Sequence, residues 1–112
     1  MAIRLAVLPL SEVINLTGND NYPRWAGGVT VNCDLISERL ANDELIAPND
    51  DRDPNAEISA GEHASRVAWL VQNIAENACS LTIKDGQIKD GNHRFAAALF
   101  RGDQKIRVCF MS

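Results

Sequence analysis

Asp90-Gly91-Asn92-His93-Arg94-Phe95-Ala96-Ala97-Ala98 is the stretch whose reading decides the fold. An apolar run with a turn, Leu81 to Ile88, precedes it, and the alanine-rich segment it opens stops at Gly102. Asn92 or Asp90 can cap the first helical turn, and Gly102 suits the position just past the end. The charges are unusual for a helix start. The N-terminus of a helix carries partial positive charge and attracts Asp or Glu, yet His93 and Arg94 occupy that turn. Such departures from local preference concentrate at functional sites. Open amides, a glycine that lets the backbone approach closely, a guanidinium and an imidazole together describe an anion cradle, above all for phosphate. The plainer alternative is a turn at Asp90-Gly91, a cap at Asn92 and a solvated Arg94 lying over Phe95.

Upstream, Ser80 to Lys84 and Gln87 to Lys89 flank Asp85-Gly86, a strong hairpin signal. Downstream, Lys105 to Phe110 alternates, placing Ile106, Val108 and Phe110 on one face as in a half-buried strand. The run Ile83-Lys84-Asp85-Gly86-Gln87-Ile88-Lys89-Asp90-Gly91-Asn92-His93-Arg94-Phe95-Ala96-Ala97-Ala98, followed by Gly102 and Ile106-Arg107-Val108, resembles the signature of the ParB/sulfiredoxin superfamily. There a short hairpin leads into a Gly-x-His/Arg-Arg turn, a helix with small residues, a glycine and a closing strand. The resemblance covers the last third of the chain and implies a ligand, a nucleotide phosphate or a nucleic acid, around Gly91, Asn92, His93 and Arg94. It implies for His93 a contact or proton donation to a phosphate oxygen, and for Arg94 an ion pair. A nucleoside triphosphate with Mg2+ is the ligand class that follows. Sulfiredoxins carry a reactive cysteine where this chain has Asn92, so thiol-based sulfinic acid reduction is not expected. Partition proteins carry a DNA-reading domain and a dimerisation tail beyond this module, whereas this chain ends at Ser112, so a role in segregation is not expected either.

The length of 112 residues predicts one domain, 1–112, with a modest core and no need of disulfide staples. At 46% hydrophobic and 23% charged residues, the composition is that of a globular chain. No apolar run approaches membrane-spanning length and no basic-then-apolar leader precedes the fold, so a cytoplasmic protein without membrane contact is expected. Cys33, Cys79 and Cys109 lack metal or redox spacing and read as reduced thiols filling the core. The net charge of −4 is uneven. Residues 1–83 hold 5 Lys/Arg against 12 Asp/Glu, a balance of −7, and residues 84–112 hold 6 against 3, a balance of +3. Positive charge thus gathers near the proposed anion site. The excess suits a small phosphorylated ligand better than duplex DNA.

From the N-terminus, Ala2 to Leu10 reads as a buried or half-buried strand whose pairing ends near Leu8, because Pro9 cannot donate to a ladder. Ser11 to Ile14 predicts a short helical turn, and Asn15 to Gly28 a loop. Within it, Tyr22-Pro23-Arg24-Trp25 sets two aromatics around an arginine. Partition-type members often have an Asn-Pro-Arg-like segment about here, which implies a second ligand-contacting residue, Arg24, beside a stacking Trp25. The default expectation is a loop pinned to the core by Trp25. A helix is predicted over Asn32 to about Ala47, from Leu35, Ile36, Leu40 and Leu45.

Asp51, Asp53, Asn55, Glu57, Ile58 and Glu62 fall at the spacing of an EF-hand calcium loop. The glycine such a loop needs is Ala56, and Pro54 stiffens the backbone. Ser59 with Glu62 reads equally as a capping box, and a solvated acidic loop is the default. The helix from Ala60 to about Asn77 follows from Val67, Leu70, Val71 and Ile74. His63 and Arg66 fall off that stripe. They read as a solvated face or, if the superfamily arrangement holds, as lining for the phosphate turn, with Arg66 a ligand-binding candidate.

The expected architecture is α+β (mixed α/β): a short mixed sheet with a hairpin, packed by three to four helices. No serine or cysteine triad, zinc spacing or Walker loop can be assembled. Hydrolysis would need a metal and a carboxylate by the turn, and Asp90 is the candidate, although a turn acceptor is its more ordinary role. Asp90 and His93 are therefore the catalytic candidates, and Gly91, Asn92, His93, Arg94, Arg66 and Arg24 the ligand-binding ones. The residues are compatible with binding alone, with weak nucleotide hydrolase or nuclease activity, or with a non-catalytic plasmid- or phage-type inhibitor that meets a protein partner through its surface.

Overall fold

The computed structural model describes residues 3–18, 22–23, 25, 28–48 and 58–112. The elements run β1 (Ile3–Pro9), α1 (Leu10–Thr17), α2 (Cys33–Ala41), α3 (Ala60–Asn73), β2 (Ser80–Lys84), β3 (Gln87–Asp90), α4 (Asn92–Arg101) and β4 (Lys105–Met111). The strands form one mixed sheet ordered β1-β4-β2-β3, and the fold is α+β. β1 pairs antiparallel with β4 and β3 with β2, while β2 and β4 run parallel. That parallel pair needs a crossover, and α4 is its helix.

Local chemistry sets most boundaries. Asp85 and Gly86 both take positive φ, 55° and 72°, the geometry of the tight turn that Asp-Gly favours between antiparallel strands. Gly102 closes α4 in the left-handed region at φ 73°. The Asn32 side chain accepts from the Leu35 amide at the start of α2, and the Ser59 hydroxyl accepts from the Glu62 amide at the start of α3. Asp51, Asp53, Asn55 and Glu57, the supposed calcium ligands, lie outside the described residues.

Several predicted bounds shift. α1 continues to Thr17 before Gly18 ends it, so the loop begins later than expected. α2 stops at Ala41 rather than about Ala47, because Asp43 turns left-handed at φ 54° and the following backbone crosses to α3, where the Ile46 amide donates to the Ser65 carbonyl. α3 ends at Asn73 rather than Asn77. Pro9 still stands opposite Lys105, one pair further than predicted; β1 is an edge strand, where a missing donor is tolerated.

Two core clusters meet on α4. One joins Leu10, Val13, Leu81, Ile83, Phe95, Ala98, Ile106 and Val108 between the helices and the sheet. The other joins Val31, Ile36, Ala64, Val67, Leu70, Ala96 and Ala97 among α2, α3 and α4. Phe95 and Ala96 to Ala98 are all fully buried, so the middle of α4 is enclosed, which explains its alanines: small side chains let α3 and the sheet both approach. The helices lie on one face of the sheet. In consequence Ile3, Leu5 and Val7 of β1 point the other way and are 61%, 78% and 60% exposed while Ala6 and Leu8 are partly buried, so of the two readings of this strand, buried or half-buried, the second holds. Among the described residues no helix is long and apolar enough to cross a membrane.

Candidate anion-binding site

The first turn of α4 starts on Gly91, with φ 98° and ψ 20°, and no side chain caps it. Neither Asn92 nor Asp90 fills that role, contrary to expectation. Gly91 is required for a reason internal to the fold. A Cβ there would stand 2.8 Å from Leu81 Cβ and 2.9 Å from the Ser80 carbonyl oxygen, so the close approach that glycine permits is to β2. The Phe95 amide donates to the Gly91 carbonyl, the first bond of the helix. The amides of Asn92, His93 and Arg94 precede it at the positive end of the helix dipole.

His93 and Arg94 leave this turn in different directions. His93 reaches α3, where its Nε2 stands 2.8 Å from Nδ1 of His63. The ring centroids are 5.0 Å apart and the planes differ by 26°, so the two imidazoles meet edge to edge rather than face to face. The Trp25 indole lies over both, at 4.2 Å from His63 and 4.8 Å from His93, with planes within 24°. His63 is only 4% exposed, which corrects its reading as a solvated residue. It sits one position before Ala64 at the rim of the stripe, and the imidazole and indole cover it. Trp25 is held by its own turn: its amide donates to the Val29 carbonyl, and Gly28 returns a bond to Trp25. The Tyr22 hydroxyl lies 3.0 Å from Cys33 Sγ at the start of α2, and burial together with that contact pushes its phenol well above the usual range. Trp25 therefore both packs on the second core cluster and stacks on the site, which joins the two readings offered for it.

Arg94 turns towards the sheet, and its Nη1 donates to the Ser80 carbonyl at 3.2 Å. Arg66 is half-buried on α3 and pairs with Glu62 one turn earlier, at 3.0 Å. Asp90 is exposed at the end of β3, and among the described residues no hydrogen bond or ion pair joins it to His93. Arg24 lies outside the described residues. Of the candidates, then, Gly91, Asn92 and His93 gather at the start of α4, while the Arg94 guanidinium turns to the Ser80 carbonyl. Among the described residues no three His, Cys, Asp or Glu side chains converge as metal ligands. His63 and Trp25 complete the cluster; the signal for Trp25 is the pair of aromatics set around Arg24, and for His63 its position next to the apolar stripe.

No family model, curated protein or solved structure matches the chain.

Proposed function

We propose that the chain is a nucleotide-binding domain of the ParB/sulfiredoxin-like kind, which takes the polyphosphate of a nucleoside triphosphate at the N-terminus of α4. The observation that carries this reading is the meeting of Trp25, His63 and His93. The resemblance drew attention to two stretches far apart in sequence, Tyr22 to Trp25 and Gly91 to Arg94, and the Trp25 indole lies on the His93 imidazole.

In this reading the amides of Asn92, His93 and Arg94 receive phosphate oxygens along the helix axis. His93 donates from its ring, and the hydrogen bond to His63 and the indole above fix its orientation, so little rotamer entropy is lost when the ligand arrives. Arg94 contributes its amide, its guanidinium staying on Ser80. Mg2+ enters with the triphosphate, largely hydrated, since such ions are bound through phosphates and few protein ligands. Binding is the function assigned.

Thermal denaturation and calorimetry with Mg·ATP, Mg·CTP and Mg·GTP test it. At least one is expected to bind saturably and raise the melting temperature by several degrees, with nucleoside monophosphates far weaker. His93→Ala should weaken binding about tenfold, the loss of one good charge-assisted contact, and Trp25→Ala should weaken it because the indole no longer fixes the His93 imidazole. No shift with any triphosphate overturns the reading and leaves a non-catalytic surface as the alternative.

A further inference from the structure

The face of the sheet turned away from the helices is where the chain is least accounted for. Register fixes what it presents. Leu5, Cys109 and Thr82 stand in one row across β1, β4 and β2, and Val7, Arg107 and Ser80 stand in the next. Successive strand residues point to opposite faces, so with Ile106 and Val108 in the core these rows face outward. Leu5 and Val7 are exposed apolar side chains, which single surface residues often are, but here they adjoin an open cavity of about 440 Å³.

The same cavity receives two guanidiniums. Arg107 enters it from β4. Arg94 reaches it from α4 and bonds to the carbonyl of Ser80, the residue that faces Arg107 across the ladder. Both cations therefore approach the Ser80 end, and the row of Leu5, Thr82 and Cys109 continues away from them. Among the described residues no Asp or Glu lines the cavity. Among the described residues neither arginine has a carboxylate partner, although the chain as a whole carries a charge of −4. Asp90 stands opposite Thr82 in the β2–β3 ladder but is not part of the lining.

We propose that this face binds a small amphipathic anion: a carboxylate or phosphate head on a short aliphatic or aromatic body. The head lies between Arg94 and Arg107, whose planar guanidiniums donate paired hydrogen bonds to its oxygens. The body covers Leu5, Val7 and the Cys109 edge. The volume lies within the range of about 300–1,000 Å³ usual for small-ligand sites. This site is separate from the one at the start of α4, sharing with it only residue Arg94, through the guanidinium here and the amide there.

Decanoate, below its micelle concentration, is the probe, with 1-decanol as its uncharged counterpart. Calorimetry is expected to show saturable one-to-one binding of decanoate, at least ten times tighter than decanol. Arg107→Gln should weaken decanoate at least tenfold while leaving any thermal shift from Mg·ATP intact, which separates this site from the nucleotide site. Val7→Glu, which sets a carboxylate beside the head, should abolish binding. Bound decanoate should slow iodoacetamide alkylation of Cys109 at least threefold in a Cys33→Ser chain. Decyl phosphate should replace decanoate. The proposal is overturned by equal binding of decanol, by an unaffected Arg107→Gln, by a dimer that buries Cys109 and excludes decanoate, or by capture on anionic phospholipid vesicles without binding of free decanoate.

Discussion

Nδ1 of His63 and Nε2 of His93 stand 2.8 Å apart, so one of these nitrogens gives a proton and the other accepts it. If His63 donates from Nδ1, then His93 accepts at Nε2 and keeps its own proton on Nδ1. If His93 donates from Nε2, then His63 keeps its proton on Nε2. In the neutral pair both rings therefore share one tautomer, whichever it is. Long-range proton–nitrogen spectra at neutral pH are expected to report two matching tautomers. Opposite tautomers would mean that the bond does not form in solution.

Gly91 is the second point at which the site depends on backbone geometry. Its φ of 98° lies where an L side chain is strained, and a Cβ would collide with Leu81 Cβ and the Ser80 carbonyl. Leu81 and Ser80 are fixed in turn by pairing with Val108 and Arg107. Gly91→Ala should cost about 2–3 kcal/mol, backbone strain plus the clash, read as a lower urea midpoint. A variant as stable as the parent would show that β2 yields, and the rigid start of α4 would have to be reconsidered.

The hairpin at Asp85-Gly86, the stop at Gly102 and the in–out alternation of β4 were legible because each rests on chemistry within a few residues. The cap of α4 was not. Choosing Gly91 over Asn92 depends on how near β2 passes, which no local pattern records. His63 was misplaced for a related reason: a helical stripe says which side faces the core, but not that an indole from residue 25 will close over its rim. β1 reads as buried or half-buried because it is apolar, and which of the two holds is decided by whether α1 to α4 cover one face of the sheet or both. The outward Arg107 was implicit in the alternation that placed Ile106 and Val108 inside, but its convergence with Arg94 needed the register of three strands.

Arg101 ties the end of α4 to the end of α3. Its guanidinium donates to the carbonyls of Val71, Ile74 and Ala75 and pairs with Asp103 at 2.7 Å, where the carboxylate side chain is fully buried. That hydrogen bond with Asp103 raises the Arg101 pKa further above its already high value, so its charge is constant through the physiological range. Arg101→Met leaves a buried carboxylate alone and three carbonyls without their donor. It should cost about 3–5 kcal/mol, the usual penalty for halving a buried pair. Adding Asp103→Asn should recover part of that loss, because the orphaned charge goes with it. Additive losses in the double-mutant cycle would show that the two side chains do not act as a pair.

Cys79 gives the clearest pH dependence. The side chain is 1% exposed, and burial pushes its thiol above the ordinary value of 9.0, only partly opposed by the nearby Arg101 guanidinium. Below the ordinary value both folded and unfolded chains keep the thiol protonated, and its contribution is complete. As pH rises past 9.0 the unfolded chain ionises first, so it binds fewer protons than the folded one and stability falls. The loss continues until the pH exceeds the raised folded value. Tyr22 acts with the same sign above its ordinary value of 10.0, so the comparison belongs between pH 8 and about 10. Urea midpoints across that window should decline for the parent chain and decline less for Cys79→Ala. Iodoacetamide should label the exposed Cys33 first and Cys79 last, with Cys109 between them. Equal slopes for parent and variant would place the Cys79 thiol in contact with water, and the packing of β2 against α4 around it would then be looser than the structure has it.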